Sequence, residues 1–237
     1  MQRGINISHV LSFNEPDGPY NTGGSNMQPS KAAEAWVRNI VPLQAMGIKV
    51  GLPACTGGRG GIPWLQQFLG NCSQVLTSST GGGETKNCTY DFIPLHWYGN
   101  FEGMASHIGE YSAAFPKQKF WITEFNLERQ DLPTTQAYYN STISYLDSLD
   151  SIERYTMFGA FRSGVSNIGP NAAFLNNDGK LTDMGSWYLG GSATGVLPTS
   201  GSLPGSPSAA NRLSASIVAI GVAVTATGSM LMFPFWG

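Results

Sequence analysis

"FIPLHWYGNFEGMASHIGEYSAAFPKQKFWITEFN" (residues 92–126) contains a complete structural repeat. Phe92 to Tyr98 is a short apolar run with the length and aromatic content of a buried strand. Residues 101–115 then take the amphipathic pattern of a helix, and 119–126 return to a second apolar run ending in Glu124-Phe125-Asn126. Strand, helix and strand in this order form a parallel βαβ unit, because parallel strands need a crossover.

The same alternation continues on both sides. "HVLSFNEP" (9–16) reads as a strand, and residues 30–46 as a helix opened by Ser30 and closed by Gly47. "IKVGLPAC" (48–55) is the next strand and "WLQQFLGNC" (64–72) a short helix. After the central unit come a helix at 134–149 and a last strand, "RYTMFGAFR" (154–162). Five such repeats predict an α/β fold with a parallel sheet and helical crossovers. "TGGRGG" (56–61) lacks the Gly-Lys-Ser/Thr of a phosphate loop and reads as a flexible connection.

Composition excludes several classes of function. Of the 237 residues 41% are hydrophobic and only 12% charged, with a formal net charge of −2. There is no basic run to neutralise phosphates, so nucleic acid is not an expected partner. Neither CxxC nor HxxxH occurs, so no metal and no cofactor are expected. A monomer is expected.

Chemistry in parallel α/β folds gathers at the C-terminal ends of the strands. Asn14 and Glu15, His96 and Tyr98, and Glu124 and Asn126 all fall there. Glycoside cleavage needs two carboxyls in different protonation states, one donating to the leaving oxygen and one attacking carbon. Glu15 and Glu124 are the candidate pair, with Phe13, Trp121 and Phe125 as an apolar wall able to raise the pKa of one of them. His96 and Tyr98 share a strand face and are placed to contact an acid or a sugar hydroxyl, with Trp97 on the opposite face against a helix. Asn14 is placed to bind the hydroxyl beside the reacting carbon. Asp17 is read as a cap for the following loop, and Glu34, Glu84, Glu102, Glu110, Glu128 and Glu153 receive no role.

"FNEPD", "GLPAC", "FIPLHWYG", "WITEF" and "RYTMFGAF" together resemble the later barrel strands of glycoside hydrolase family 128. These are endo-β-1,3-glucanases in the Asn-Glu-Pro clan of (β/α)8 barrels, alkali-sensitive-linkage-type cell-wall proteins among them. The resemblance covers about residues 8–188. It implies Glu15 as acid/base, Glu124 as nucleophile, retention of configuration, and β-1,3-glucan as substrate. In that family the Asn-Glu-Pro strand is the fourth, so the resemblance implies only the last five βα units of a TIM barrel. Open edges are then expected at residues 8–14 and 154–161, with Phe13, Ile122 and Met157 facing the gap. Met157 stands where the family often has Trp, leaving Phe158 or Phe161 as a sugar-stacking ring. A catalytically inactive glucan-binding wall protein and an adhesin using the barrel as a scaffold are the rival readings.

The remaining signals concern location. Asn6, Asn71, Asn87 and Asn140 head N-x-[ST] sequons, as expected of a secreted chain. A Cys72–Cys88 disulfide suits the same compartment, leaving Cys55 either as a small buried residue or as a thiol without its partner. Residues 1–10 show no apolar signal-peptide core. Residues 1–189 form the partial barrel, 190–212 a Ser/Gly/Pro-rich linker, and 213–237 an almost uncharged apolar tail. That layout is a GPI-attachment signal at the cell surface or wall, and a single transmembrane anchor is the alternative.

Overall fold

A computed structural model describes Gly4, residues 6–79, Gly81 and residues 83–202. Strands β1 (His9–Val10), β2 (Lys49–Val50), β3 (Ile93–Tyr98), β4 (Phe120–Asn126) and β5 (Ile152–Met157) are joined by helical crossovers. The helices are α1 (Pro29–Asn39), α2 (Val41–Gln44), α3 (Gly61–Ser79), α4 (Phe101–Ala114), α5 (Leu132–Ser148) and α6 (Asp183–Tyr188). β1 pairs with β2, and β3 with β4 and β4 with β5, all parallel. Isolated parallel bridges Gly51–Phe92 and Cys55–Leu95 connect the two sets in sequence order. The expected α/β architecture with a parallel sheet is present. Among the described residues β1 pairs only with β2 and β5 only with β4.

The helices cover one face of the sheet. Trp36 of α1 meets Phe68 of α3 edge-on at 5.4 Å, and Trp64 stacks on Phe68 at 5.6 Å. Leu95, Phe120, Ile122, Phe125 and Met157 complete this core from the strands, each no more than 1% exposed. Ile122 and Met157 therefore do not face the inner side of the sheet, contrary to expectation. The inner side carries Leu11, Phe13, Leu52, Pro94 and Thr123 around a hollow of about 210 Å³.

Helix boundaries depart from the sequence reading where local chemistry intervenes. Pro42 has no N–H to continue a helix, so the expected 30–46 helix ends at Asn39 and only a short turn resumes at Val41. Its start is set by Pro29 in the first turn rather than by Ser30 as cap. α3 runs past Cys72 to Ser79, where Ser73 and Thr77 donate back to the carbonyls four residues earlier. Cys72 is bridged to Cys88 with Cα atoms 5.7 Å apart, and the Ser73 hydroxyl accepts from the Cys88 N–H.

Residues 190–202, the described part of the expected 190–212 linker, are hydrogen-bonded to the compact unit, and 203–212 lie outside the described residues. Thr194 and Gly195 N–H groups donate to Asp183, Asn177 N–H donates to the Ser200 carbonyl, and the Ser163 hydroxyl donates to the Pro198 carbonyl. The compact unit ends at Gly201. Low-complexity composition concealed these backbone bonds. No helix among the described residues is long and apolar enough to cross a membrane, and the apolar tail at 213–237 lies outside them.

Candidate active site

Glu15 follows β1 on backbone that its neighbours force into shape. Its φ is +41°, a left-handed conformation that costs a non-glycine residue about 1–3 kcal/mol. The surrounding bonds hold it there. Glu15 N–H donates to Ala54 O at 2.7 Å, while its carbonyl accepts from Gly18 and Ser25. Gly24 crosses so close that a Cβ would lie 2.3 Å from Gly18 O. Two residues on, the Asp17 carboxylate accepts the Thr56 N–H at 2.9 Å and the Thr56 hydroxyl at 2.7 Å. Asp17 thus clamps the Glu15 turn to the end of the second strand segment instead of capping its own loop. Burial, reinforced by the Asp17 charge, pushes the neighbouring Cys55 thiol up, so Cys55 is a protonated, buried residue and no nucleophile.

Glu124 arrives differently. The β3–β4 register pairs Leu95 with Ile122 but His96 with Glu124, so Thr123 is an extra residue. This bulge resets the alternation, and Thr123 and Glu124 both reach the inner side of the sheet. Without it, Glu124 would share the helix-facing side with Ile122.

The two acids meet around His96. His96 Nδ1 lies 2.9 Å from Glu15 Oε1 and 3.6 Å from Glu124 Oε2. One oxygen of each carboxylate and a His96 nitrogen all fall within 4.8 Å of one another. A neutral His96 with its proton on Nδ1 donates to an ionised Glu15, whereas a protonated Glu15 donates to Nδ1. The Tyr98 hydroxyl donates to Glu124 Oε2 at 2.8 Å. Burial first, then the Glu124 charge, pushes the Tyr98 phenol up, which keeps it a donor at every working pH. The environments differ, since the Glu15 side chain is 11% exposed and that of Glu124 28%. Glu15, His96 and Glu124 also form a set of potential cation ligands. His96 and Tyr98 are already hydrogen-bonded to the carboxylates, an arrangement suited to proton handling.

Glu15, Tyr98 and Glu124 open into a cleft of about 570 Å³, lined also by Asn14, Trp97, Phe158 and Ile168, while the buried His96 borders the smaller hollow. Asn14 is exposed and donates its amide to Gly23 O at 3.2 Å. Phe158 meets Tyr98 edge-on at 5.7 Å and supplies the aromatic wall, with Phe161 behind it at 5.3 Å. Trp97 rests its ring on His107 of α4 at 5.2 Å while still edging the cleft. Gly57 and Gly58 of the glycine-rich segment form part of its wall.

Three expectations fail here. Trp121 is no wall of the acids; near the start of β4 it stacks on Phe92 at 3.9 Å with Arg154 over its ring. Phe125 is fully buried on the helix side because the bulge turns it there. Asn126 is also buried, donating to Phe158 O at 2.7 Å, and so braces β4 against the segment after β5. Glu128, given no role from sequence, lines the cleft. Its position two residues beyond a strand end was the available signal.

Two carboxylates thus meet at the C-terminal ends of parallel strands, beside a cleft of about 570 Å³. Residues 1–188 match the family described as the glycosyl hydrolase catalytic core, and the chain belongs to that family. The resemblance to glycoside hydrolase family 128 is upheld by its relatives. The chain is 29% identical over 189 residues to alkali-sensitive linkage protein 1 of Schizosaccharomyces pombe, covering 76% of this chain but 32% of that protein. It therefore spans about a third of that relative's length. A family 128 subgroup IV endo-β-1,3-glucanase from Lentinula edodes is similar in structure (TM-score 0.61, 27% identity, 78% of this chain and 69% of that chain). A subgroup VII oligosaccharide-binding protein from Cryptococcus neoformans shares the fold (TM-score 0.63, 20% identity, 79% and 70%).

Proposed function

We propose that the chain carries the catalytic face of a retaining β-1,3-glucan hydrolase, its five strands being an arc of a (β/α)8 barrel. The observation that supports this reading is the approach of Glu15 and Glu124 oxygens to within 4.8 Å. Retaining pairs stand about 5–5.5 Å apart, whereas inverting pairs leave about 6.5–9.5 Å for a water. In the first step Glu124 attacks the anomeric carbon as Glu15 gives its proton to the departing oxygen. The C–O bond breaks and a glycosyl ester forms on Glu124. In the second step Glu15 takes a proton from water, whose oxygen displaces Glu124 and restores the original configuration. Tyr98 holds Glu124 in line, and His96 follows the charge of Glu15.

The setting that goes with this reading is a fungal cell wall or surface. The substrate is wall glucan and the chain acts as a monomer. Residues 213–237 direct attachment of a GPI lipid between Gly205 and Asn211. Exposed Asn6, Asn87 and Asn140 accept glycans, whereas Asn71 is half-buried within α3.

Laminarin hydrolysis followed by proton NMR tests the activity. The β-anomer is expected as the first product. Early appearance of the α-anomer would overturn the retaining assignment. A second reading, glucan binding without turnover, is favoured by the single-sided pairing of β1 and β5, since an arc does not close around its inner face. Saturable laminarin binding with no new reducing ends would support it.

A further inference from the structure

The side chains lining the cleft divide into those already bonded within the protein and those that are not. Glu15 is engaged with His96, Glu124 with Tyr98, Asn14 with Gly23, and Thr56 with Asp17. Trp97 Nε1 donates to Asn100 O, and the Thr22 hydroxyl to Pro19 O. The Glu128 carboxylate and the Asn167 amide also line the cleft, yet among the described residues neither side chain has a hydrogen-bond partner in the protein, the Glu128 charge acting only through space on Tyr98. Both residues are exposed to solvent, so their polar atoms can exchange water for the hydroxyls of a ligand in the cleft.

Their backbone is nevertheless tied down by hydrogen bonds. The segment after β4 is fastened to the loop after β5 by Arg129, whose N–H donates to Ile168 O at 2.8 Å and whose Nη2 donates to Asn167 O at 2.8 Å. Asn171 Nδ2 reaches back to Gln130 O at 2.8 Å. Arg129 adopts φ +52°, and Gly169, at φ +101°, faces it so closely that a Cβ would lie 3.1 Å from the Arg129 Cα. The result is a fixed shelf with two unengaged polar side chains, beside Phe158 and Ile168. A strained, well-tied shelf with free polar tips is preorganised for binding, because little conformational freedom remains to be lost.

We propose that Glu128 is a specificity-determining residue which, with Asn167, grips hydroxyls of the glucosyl unit adjoining the reacting one and rejects anionic saccharides. This rests on the β-1,3-glucan reading and extends it. A carboxylate accepts from two neighbouring hydroxyls in charge-assisted bonds, while the amide can donate as well as accept. Neutral glucose units offer such hydroxyl pairs. A uronate would bring a negative charge into a cleft that already holds Glu15, Glu124 and Glu128.

Calorimetry on the full chain carrying Glu124→Gln, which removes turnover, tests the proposal with two probes, laminaritetraose and its C6-oxidised β-1,3-glucuronan counterpart. Adding Glu128→Ala is expected to weaken laminaritetraose binding about 10- to 100-fold. Adding Glu128→Gln instead is expected to weaken it by less than Glu128→Ala and to strengthen binding of the oxidised probe several-fold. Unchanged laminaritetraose affinity in Glu128→Ala, with the thermal midpoint retained, overturns the role of Glu128 while leaving the glucan reading intact. Equal affinity of the parent for both probes overturns the charge discrimination. Failure of the parent to bind either probe overturns the glucan reading and this inference together.

Discussion

Glu15 and Glu124 face one another across a single cleft, but the backbone beneath each is built on different terms. The β1–β2 half has two-residue strands and isolated bridges, and its acid stands on a left-handed turn held by loop hydrogen bonds. The β3–β5 half has six- and seven-residue strands, and its acid stands on a ladder that keeps its pairing with β3 across one extra residue while the β4–β5 register shifts twice. A strand ladder fixes position through many equivalent bonds, so a single bulge re-aims a side chain without loosening it. A strained turn depends on a few individual bonds, each of which can be removed. The two halves should therefore fail in different ways.

Replacing the acids gives the largest effects. Glu124→Gln should lower kcat on laminarin by about four orders of magnitude or more, the scale of losing a covalent nucleophile. Glu15→Gln should cost about 10²–10⁴-fold on laminarin. It should keep most activity on an aryl glucoside whose leaving group needs no proton. Steady-state kinetics on both substrates separates the roles, and equal losses on both would show that the assignment is wrong.

Removing the clamp comes next. Asp17→Ala takes away the acceptor for the Thr56 N–H and hydroxyl while leaving both cleft carboxylates in place. We expect about 2–3 kcal/mol of lost stability. A kcat reduced about 10- to 100-fold with little change in KM should accompany it, because geometry at the acid is lost rather than sugar contact. Tyr98→Phe, in the ladder half, removes only a donor to Glu124 and should lower kcat about tenfold with the thermal midpoint nearly unchanged. If Asp17→Ala is as mild as Tyr98→Phe in both measurements, the contrast between turn and ladder disappears.

The contrast also sets what could be read from sequence. Strand and helix positions were legible because apolar periodicity reports directly on which residues are buried, and residues 92–126 gave their strand–helix–strand unit to within a few residues. Glu15, His96, Tyr98 and Glu124 stood out because polar side chains at the ends of apolar runs are unusual. The bulge at Thr123 was invisible, since it comes from how two strands register, and strict alternation from Glu124 misplaced Ile122 as a result. The Asp17–Thr56 clamp joins residues 39 positions apart, and Glu128 reaches the cleft only because Arg129 ties its loop to Ile168. Such loop-to-loop bonds leave no periodic trace. Residues 190–201 misled for a similar reason, because Ser, Gly and Pro form a docked segment as readily as a loose one when a carboxylate such as Asp183 collects their N–H groups.

That last contact gives the smallest expected effect. Partial burial pushes the Asp183 carboxyl up, but hydrogen bonds from Gly195, Thr194 and Gln136 outweigh it, so its pKa lies below the ordinary 3.8. A carboxylate with a depressed folded-state value contributes stability fully above its unfolded value and loses it as pH falls through the folded one. Asp183 is largely solvated, so screening limits the contribution to about 1 kcal/mol or less. At pH 7 the wild-type chain should melt about 1–4 °C above Asp183→Asn. The gap should narrow as pH falls below about 4 and go on closing as the folded-state carboxylate takes up its proton. Differential scanning calorimetry of the pair across that range is the measurement. A gap that stays constant from pH 7 to about pH 2 would mean that the Asp183 charge does not help to dock residues 190–201, and that neutral hydrogen bonds hold the segment instead.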